Sequence, residues 1–113
     1  MDCIFCKIIN GEIPSSKVYE DDLVYAFKDI NPEAPIHVLI VPKKHIESAH
    51  QIDESDFQSV GHIHLIAQQI AKESGIDQSG YRLLTNIGKD GGQSVSHLHY
   101  HLLGGRQLKW PPG

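Results

Sequence analysis

The sequence predicts an α+β domain on a largely antiparallel sheet. Three observations lead there: alternating apolar and polar runs in both halves of the chain, one long stretch of helical periodicity between them, and connections short enough for hairpins. With 113 residues the chain is long enough for one core and short for two, so a single domain over residues 1–113, with one site, is expected.

Residues 3–9 set Ile4, Phe5 and Ile8 near one helical face, and Gly11 and Pro14 close the segment, which predicts a short opening helix. Residues 17–20 and 23–30 read as two strands around Asp21-Asp22, with Leu23, Tyr25 and Phe27 alternating against Val24, Ala26 and Lys28. They form a hairpin. Beyond the Asn31-Pro32-Glu33-Ala34-Pro35 break, Ile36 to Val41 is apolar except at His37, as in a mid-sheet strand covered on both faces. Asp53 or Ser55 caps a helix that runs to Ser74 and ends at Gly75. Phe57, Val60, His64, Ala67 and Ala71 form one stripe on it, and Ile63, Ile66 and Ile70 a second. Two stripes imply two partners, the sheet and a second copy of the chain. Residues 81–86 and 97–103 read as the last strands, separated by a loop rich in glycine; residues 104–113 are irregular.

Composition narrows the function. A hydrophobic fraction of 40% with 21% charged residues is ordinary for a folded soluble chain. A net charge of −4 gives no basic footprint for a phosphate backbone, so nucleic acid is not an expected partner. No run of about 20 apolar residues suits a membrane span, and the opening Met1-Asp2-Cys3 lacks the basic-then-apolar layout of a signal peptide. A cytoplasmic chain without membrane attachment is expected. Its two cysteines, Cys3 and Cys6, are too few for a disulfide framework.

The chemistry concentrates in residues 97–101, His-Leu-His-Tyr-His. On a strand His97, His99 and His101 share one face, while Leu98, Tyr100 and Leu102 turn to the core and hold the register. A metal centre made of these three alone fits poorly, because same-face neighbours on a strand stand roughly 6–7 Å apart at the backbone. A row of imidazoles laid along a phosphate, one attacking, one donating a proton and one orienting its neighbour, fits better. The preceding Gly91-Gly92-Gln93-Ser94 offers flexible N–H groups as an anion nest, with the Ser94 hydroxyl as a further donor to the reacting phosphate. A nucleotide would have to be gripped there, against the overall negative charge.

Residues 92–103, Gly-Gln-Ser-Val-Ser-His-Leu-His-Tyr-His-Leu-Leu, resemble the signature of the histidine triad (HIT) superfamily. Residues 2–9, 26–30 and 41–45 and the tail Gly104-Gly105-Arg106-Gln107-Leu108-Lys109-Trp110-Pro111-Pro112-Gly113 resemble its histidine triad nucleotide-binding protein branch. The tail separates the chain from the dinucleoside-polyphosphate hydrolase branch. The resemblance implies a homodimer, a five-stranded antiparallel sheet in each subunit, and hydrolysis of purine nucleoside phosphoramidates, AMP joined to an amine, through a nucleotidyl-histidine. No cofactor is implied for catalysis. An imidazole with a reference pKa of about 6.5 is mostly neutral, as attack requires, at cytosolic pH.

By the same resemblance His99 is the nucleophile and His101 contacts the phosphate and handles the proton on the departing amine. Asn86, Gly92, Gln93 and Ser94 match positions at the phosphate, Asp29 and Ile30 those at the ribose, and Ile4, Phe5, Ile8 and Phe27 the base pocket. Trp110, in the tail, matches a residue that closes over the leaving group from the partner subunit. Cys3 and Cys6 supply half a tetrahedral zinc site; in some bacterial relatives the histidines matching His45 and His97 complete it, which implies a structural zinc. Plain alternatives stand beside these roles. Ile4, Ile8 and Phe27 also suit a core, Asp29 a turn at Asn31-Pro32, and His37 either a structural histidine or a site contact. A non-catalytic nucleotide-binding or scaffolding dimer is the competing function. Ser96 departs from the resemblance, since an aromatic residue is common just before the triad.

Overall fold

The computed structural model describes residues 2–113. Helix α1 (Ile4–Ile9) starts from an extended Cys3, whose sulfur accepts the Cys6 N–H. Strands β1 (Lys17–Glu20) and β2 (Val24–Lys28) form the predicted hairpin. Asp21 turns it by accepting the N–H groups of Leu23 and Val24. Its other oxygen takes the Tyr19 hydroxyl and His62 from the long helix. Burial raises the Asp21 pKa, but His62, Tyr19 and the two backbone donors outweigh it and hold the carboxyl well below the usual range.

Strand β3 (Ile36–Pro42) leads to helix α2 (Phe57–Glu73), then β4 (Tyr81–Leu84) and β5 (Tyr100–Gly104). The sheet runs β1-β2-β3-β5-β4, antiparallel throughout. As predicted, β3 lies at its centre, buried at every position after Ile36.

Each face of the sheet has its own cover. Val24, Ala26, Val38, Ile40, Leu98, Tyr100 and Leu102 pack beneath Ile63, Ile66, Ala67 and Ile70 of α2. Ile40 and Ile63 are completely buried, each worth about 1.5–3 kcal/mol of transfer free energy. Tyr25, Phe27, Leu39 and Val41 point the other way and meet Cys3, Phe5 and Ile8 of the α1 segment. Alternation along the last strand therefore falls as the sequence requires, with Leu98, Tyr100 and Leu102 on the α2 side.

Several boundaries differ from expectation. The last strand begins at Tyr100, not His97, because the Leu98 N–H bonds the Ile46 carbonyl and the Thr85 hydroxyl takes the His99 carbonyl. Those side bonds also end β4 at Leu84. A separate 3-10 turn at Glu54–Asp56, capped by Asp53, precedes α2. Gly75, at φ +75°, ends α2 as predicted, with Ile76 N–H bonded to Ala71 O and Gly75 N–H to Lys72 O. The two helical stripes are not divided as expected. Ala67 and Ala71 of the first join all of the second in the core, leaving Phe57, 64% exposed, and Leu65, 57% exposed, on the open face. Among the described residues no helix is long and apolar enough to cross a membrane.

Candidate functional site

The irregular segment before β5 carries two of the three triad histidines into the α1 side of the sheet. His97 has no exposed surface and His99 only 3%. The Phe5 ring holds both at its edge, with centroids 5.9 Å from His97 and 5.1 Å from His99, and itself packs on Phe27 at 5.6 Å. Ile8 lies buried in the same cluster. These residues form one floor, so the opening helix is part of the site.

His97 is turned away from the others. Its Nε2–H donates to the Pro42 carbonyl at 2.9 Å, which leaves the Nδ1 lone pair facing Cys3 Sγ at 3.4 Å, Cys6 Sγ at 3.6 Å and His45 Nδ1 at 3.1 Å. Cys6 Sγ also stands 3.5 Å from His45 Nδ1. A tetrahedron with zinc–sulfur bonds of about 2.3 Å and zinc–nitrogen bonds of about 2.0–2.1 Å has edges of roughly 3.3–3.8 Å. Three of the four separations fall in that range and the His45–His97 one lies just below it; all four donors are within 4.8 Å of one another, and the set suits that ion's taste for sulfur and imidazole. The Pro42 bond is the kind of outer support that fixes a ligating tautomer. Burial, then the hydrogen bond and charge of Cys3, push the Cys6 thiol up, and a bound cation would reverse that preference.

His99 and His101 face each other with centroids 5.1 Å apart. His99 Nδ1–H donates to the His97 carbonyl at 2.7 Å, so Nε2 carries its lone pair. The tautomer of His101 follows from a chain of bonds that starts at the backbone. Glu33 N–H donates to His37 Nδ1 at 3.0 Å, and His37 Nε2–H donates to His101 Nδ1 at 2.9 Å. His101 therefore carries its proton on Nε2, a buried atom with no partner. An orphaned buried donor costs about 1–3 kcal/mol and calls for a ligand. Burial, then the proximity of His99 and His37, pushes the His101 pKa down to about 4 against the pull of Asp29. The ring is neutral at neutral pH. A free lone pair on one imidazole thus stands beside a free N–H on the next.

His37 is the participant that the sequence left undecided. It is buried on β3, and Asp29 Oδ2 lies 3.4 Å from its Nε2. The usable signal was its position: residues 37, 39 and 41 share a face, and Leu39 pairs with His101. Asp29 also serves the turn foreseen for it, its Oδ1 taking the Asn31 N–H.

The glycine-rich loop is more self-contained than an open nest. Gly92, at φ +81°, donates its N–H to Lys89 O, and Gln93 N–H goes to Gly88 O. The Gln93 side chain accepts from Gly88 N–H and donates to the carbonyls of Glu47 and Val95. Gln93 is the loop's internal brace. Ser94 is exposed and lines a cavity of about 540 Å³ together with Cys3, Ile4, His45 and Ser96. Asn86 is half-buried beside Thr85, the residue that holds the His99 carbonyl. Ile4 and Ile30, 49% and 91% exposed, are apolar surface beside the floor residue Phe5 and the carboxylate Asp29. Trp110 is 80% exposed, and the Lys109 carbonyl before it is held by Arg82 at 2.9 Å. This tail is not gathered to the triad of its own chain.

Comparison with known proteins gives one answer throughout. The HIT domain family matches residues 10–108. An uncharacterised HIT-like protein of Synechocystis is 50% identical over 112 residues, 99% of this chain and 97% of the relative. The crystal structure of a HIT family hydrolase from Legionella pneumophila superposes with a TM-score of 0.97 at 48% identity, covering 99% of this chain and all, 100%, of that one. A histidine triad protein from Clostridium difficile gives 0.93 at 60% identity, covering 96% and 95%. A histidine triad nucleotide-binding protein from Candida albicans gives 0.84 at 38% identity, covering 97% and 83%.

Proposed function

The chain belongs to the HIT family, and on that premise we propose that it hydrolyses purine nucleoside phosphoramidates through a covalent nucleotidyl-histidine. The observation that carries the reading is the pairing of the His99 Nε2 lone pair with the orphaned His101 Nε2–H. The first suits attack on phosphorus and the second suits the charge and proton transfers that follow. Relatives described as hydrolases and as a nucleotide-binding protein agree with it.

In this reading His99 Nε2 attacks the α-phosphorus, the N–P bond to His99 forms, and the bond to the amine breaks. The nitrogen takes the His101 Nε2 proton as that bond breaks, so the amine departs neutral, and the water of the next step returns a proton to His101. Water then attacks the same phosphorus, breaks the bond to His99 and releases the nucleoside monophosphate. The Ser94 hydroxyl and Asn86 would contact the phosphate, with Gly92 and Gln93 shaping the loop that presents Ser94. Asp29 would bind the ribose, with Ile30 beside it, and Ile4 would lie against the base over the floor made by Phe5, Ile8 and Phe27. His97 acts indirectly, through the carbonyl that orients His99.

Two further assignments belong to the proposal. Cys3, Cys6, His45 and His97 hold a structural zinc, which would tie α1 to the segment that bears the triad and take no part in the reaction. Two copies pair through the open face of α2, bearing Phe57 and Leu65, and the free edge of β4, so that Trp110 reaches the leaving group in the partner's site. A turnover assay with an adenosine phosphoramidate tests the central reading. Wild type should release AMP, while His99→Ala should release none and still bind AMP. Equal turnover by the variant would refute His99 as the nucleophile, and a wild type that binds AMP but turns over no phosphoramidate would leave a nucleotide-binding dimer as the better account.

A further inference from the structure

The reaction leaves one feature of the Cys/His cluster unused: its two sulfurs are neighbours. Cys3 caps α1 and Cys6 lies three residues on, in its first turn, with the Cys6 N–H 3.4 Å from Cys3 Sγ. Residues so spaced on a helical turn are about 5 Å apart at Cα, inside the roughly 4.4–6.8 Å that a disulfide spans. Both are free thiols, and their sulfurs lie within the 4.8 Å envelope of the cluster. The cavity of about 540 Å³ that Cys3 helps to line opens the cluster to small solutes beside Ser94.

The cluster is also joined mechanically to the nucleophile. Each sulfur contacts the His97 imidazole, and the His97 carbonyl accepts the His99 Nδ1–H. A second link runs through Phe5, which lies between Cys3 and Cys6 in α1 and touches both rings. Any change in the sulfurs therefore reaches His99 by two routes.

We propose that Cys3 and Cys6 are a peroxide-sensitive dithiol whose disulfide form withdraws both sulfurs from His45 and His97 and unseats His99. The Cys3 thiolate attacks one oxygen of hydrogen peroxide; an S–O bond forms, the O–O bond breaks, and the departing hydroxide takes a proton to become water. The Cys6 sulfur then attacks the sulfenic sulfur, forming the S–S bond as the S–O bond breaks, and a second water leaves with the Cys6 proton. The dithiol loses two electrons and the peroxide gains them. Cys3 and Cys6, once joined, would no longer be available as two of the four donors to a cation. Reduction by a thiol reverses the change.

The effect on turnover rests on the phosphoramidate reading, whereas the effect on the His99 ring does not. The test treats the whole chain with increasing hydrogen peroxide, then with dithiothreitol and zinc. Thiol titration and intact mass follow the disulfide, nitrogen NMR follows the His99 ring, and phosphoramidate turnover is assayed in parallel. Expected are loss of both thiols, a shift of the His99 ring signals, and a fall in turnover of roughly 10- to 100-fold, all reversed on reduction. In Cys6→Ser the same peroxide should leave the His99 signals where they stood before treatment. Thiols that stay free, or a disulfide that forms with the His99 signals unmoved, would overturn the proposal. Wild type without turnover before oxidation would instead refute the proposed function, and the ring signals would still decide this inference.

Discussion

Replacing His37 by leucine probes the bond chain beneath the site. His37 is 7% exposed, accepts from Glu33 N–H at 3.0 Å and donates to His101 Nδ1 at 2.9 Å. Leucine is close in volume and can do neither. The buried His101 Nδ1 then lacks a donor, a loss of about 1–3 kcal/mol in folding stability. His101→Leu should cost less, because His37 Nε2–H can turn to Asp29 Oδ2, already 3.4 Å away. The double variant removes both ends of the bond, so urea unfolding of the four proteins should give a coupling energy of about 1–2 kcal/mol. Turnover offers a second measure. Without the His37 donor, His101 is no longer confined to the tautomer that presents Nε2–H, and His37→Leu should lower kcat roughly 10- to 100-fold, more than it raises KM. Stability losses that add to within about 0.3 kcal/mol would refute the coupling, and an unchanged kcat would refute the role given to the tautomer.

Protein purified without added zinc should contain one equivalent of zinc per chain by elemental analysis, and a chelator should lower its melting temperature; metal-free protein as isolated would return both cysteines to packing. His101 binds a proton more tightly unfolded than folded, its folded pKa being about 4. Stability from this group is therefore full above about pH 6.5 and is lost as pH falls toward about 4, at most on the order of 3 kcal/mol. Urea midpoints across that range should fall more steeply for wild type than for His101→Leu. Gly91→Ala would drive a Cβ into the Ile87 carbonyl oxygen, so the loop must shift; a loss of about 1–3 kcal/mol and a raised KM are expected from unfolding and steady-state assays.

Much of this was legible in the sequence because it was periodic. Alternation placed Leu98, Tyr100 and Leu102 in the α2 core, and the nearly unbroken apolar run of residues 36–41 gave β3 the centre of the sheet. Gly75 marked the end of α2. What escaped was decided by bonds between distant segments. Leu98 N–H to Ile46 O and Thr85 to His99 O stop the last two strands short, and no local pattern encodes such pairings. Likewise His37 gave a lone polar signal in an apolar strand, and only the register between β3 and β5 brings it to His101. The loop read as an open anion nest because glycine marks freedom; it could not show that Gly92 and Gln93 spend their N–H groups internally.

The claim that His99 Nε2 forms a bond to phosphorus has a direct test. Wild type mixed with an adenosine phosphoramidate and quenched in base within a single turnover should carry an adenylyl group, and peptide mass spectrometry should place it on His99. The adduct should vanish in His99→Ala and decay in wild type at the rate AMP appears. Turnover at full rate with no adduct at any quench time, or an adduct on another residue, would contradict the account.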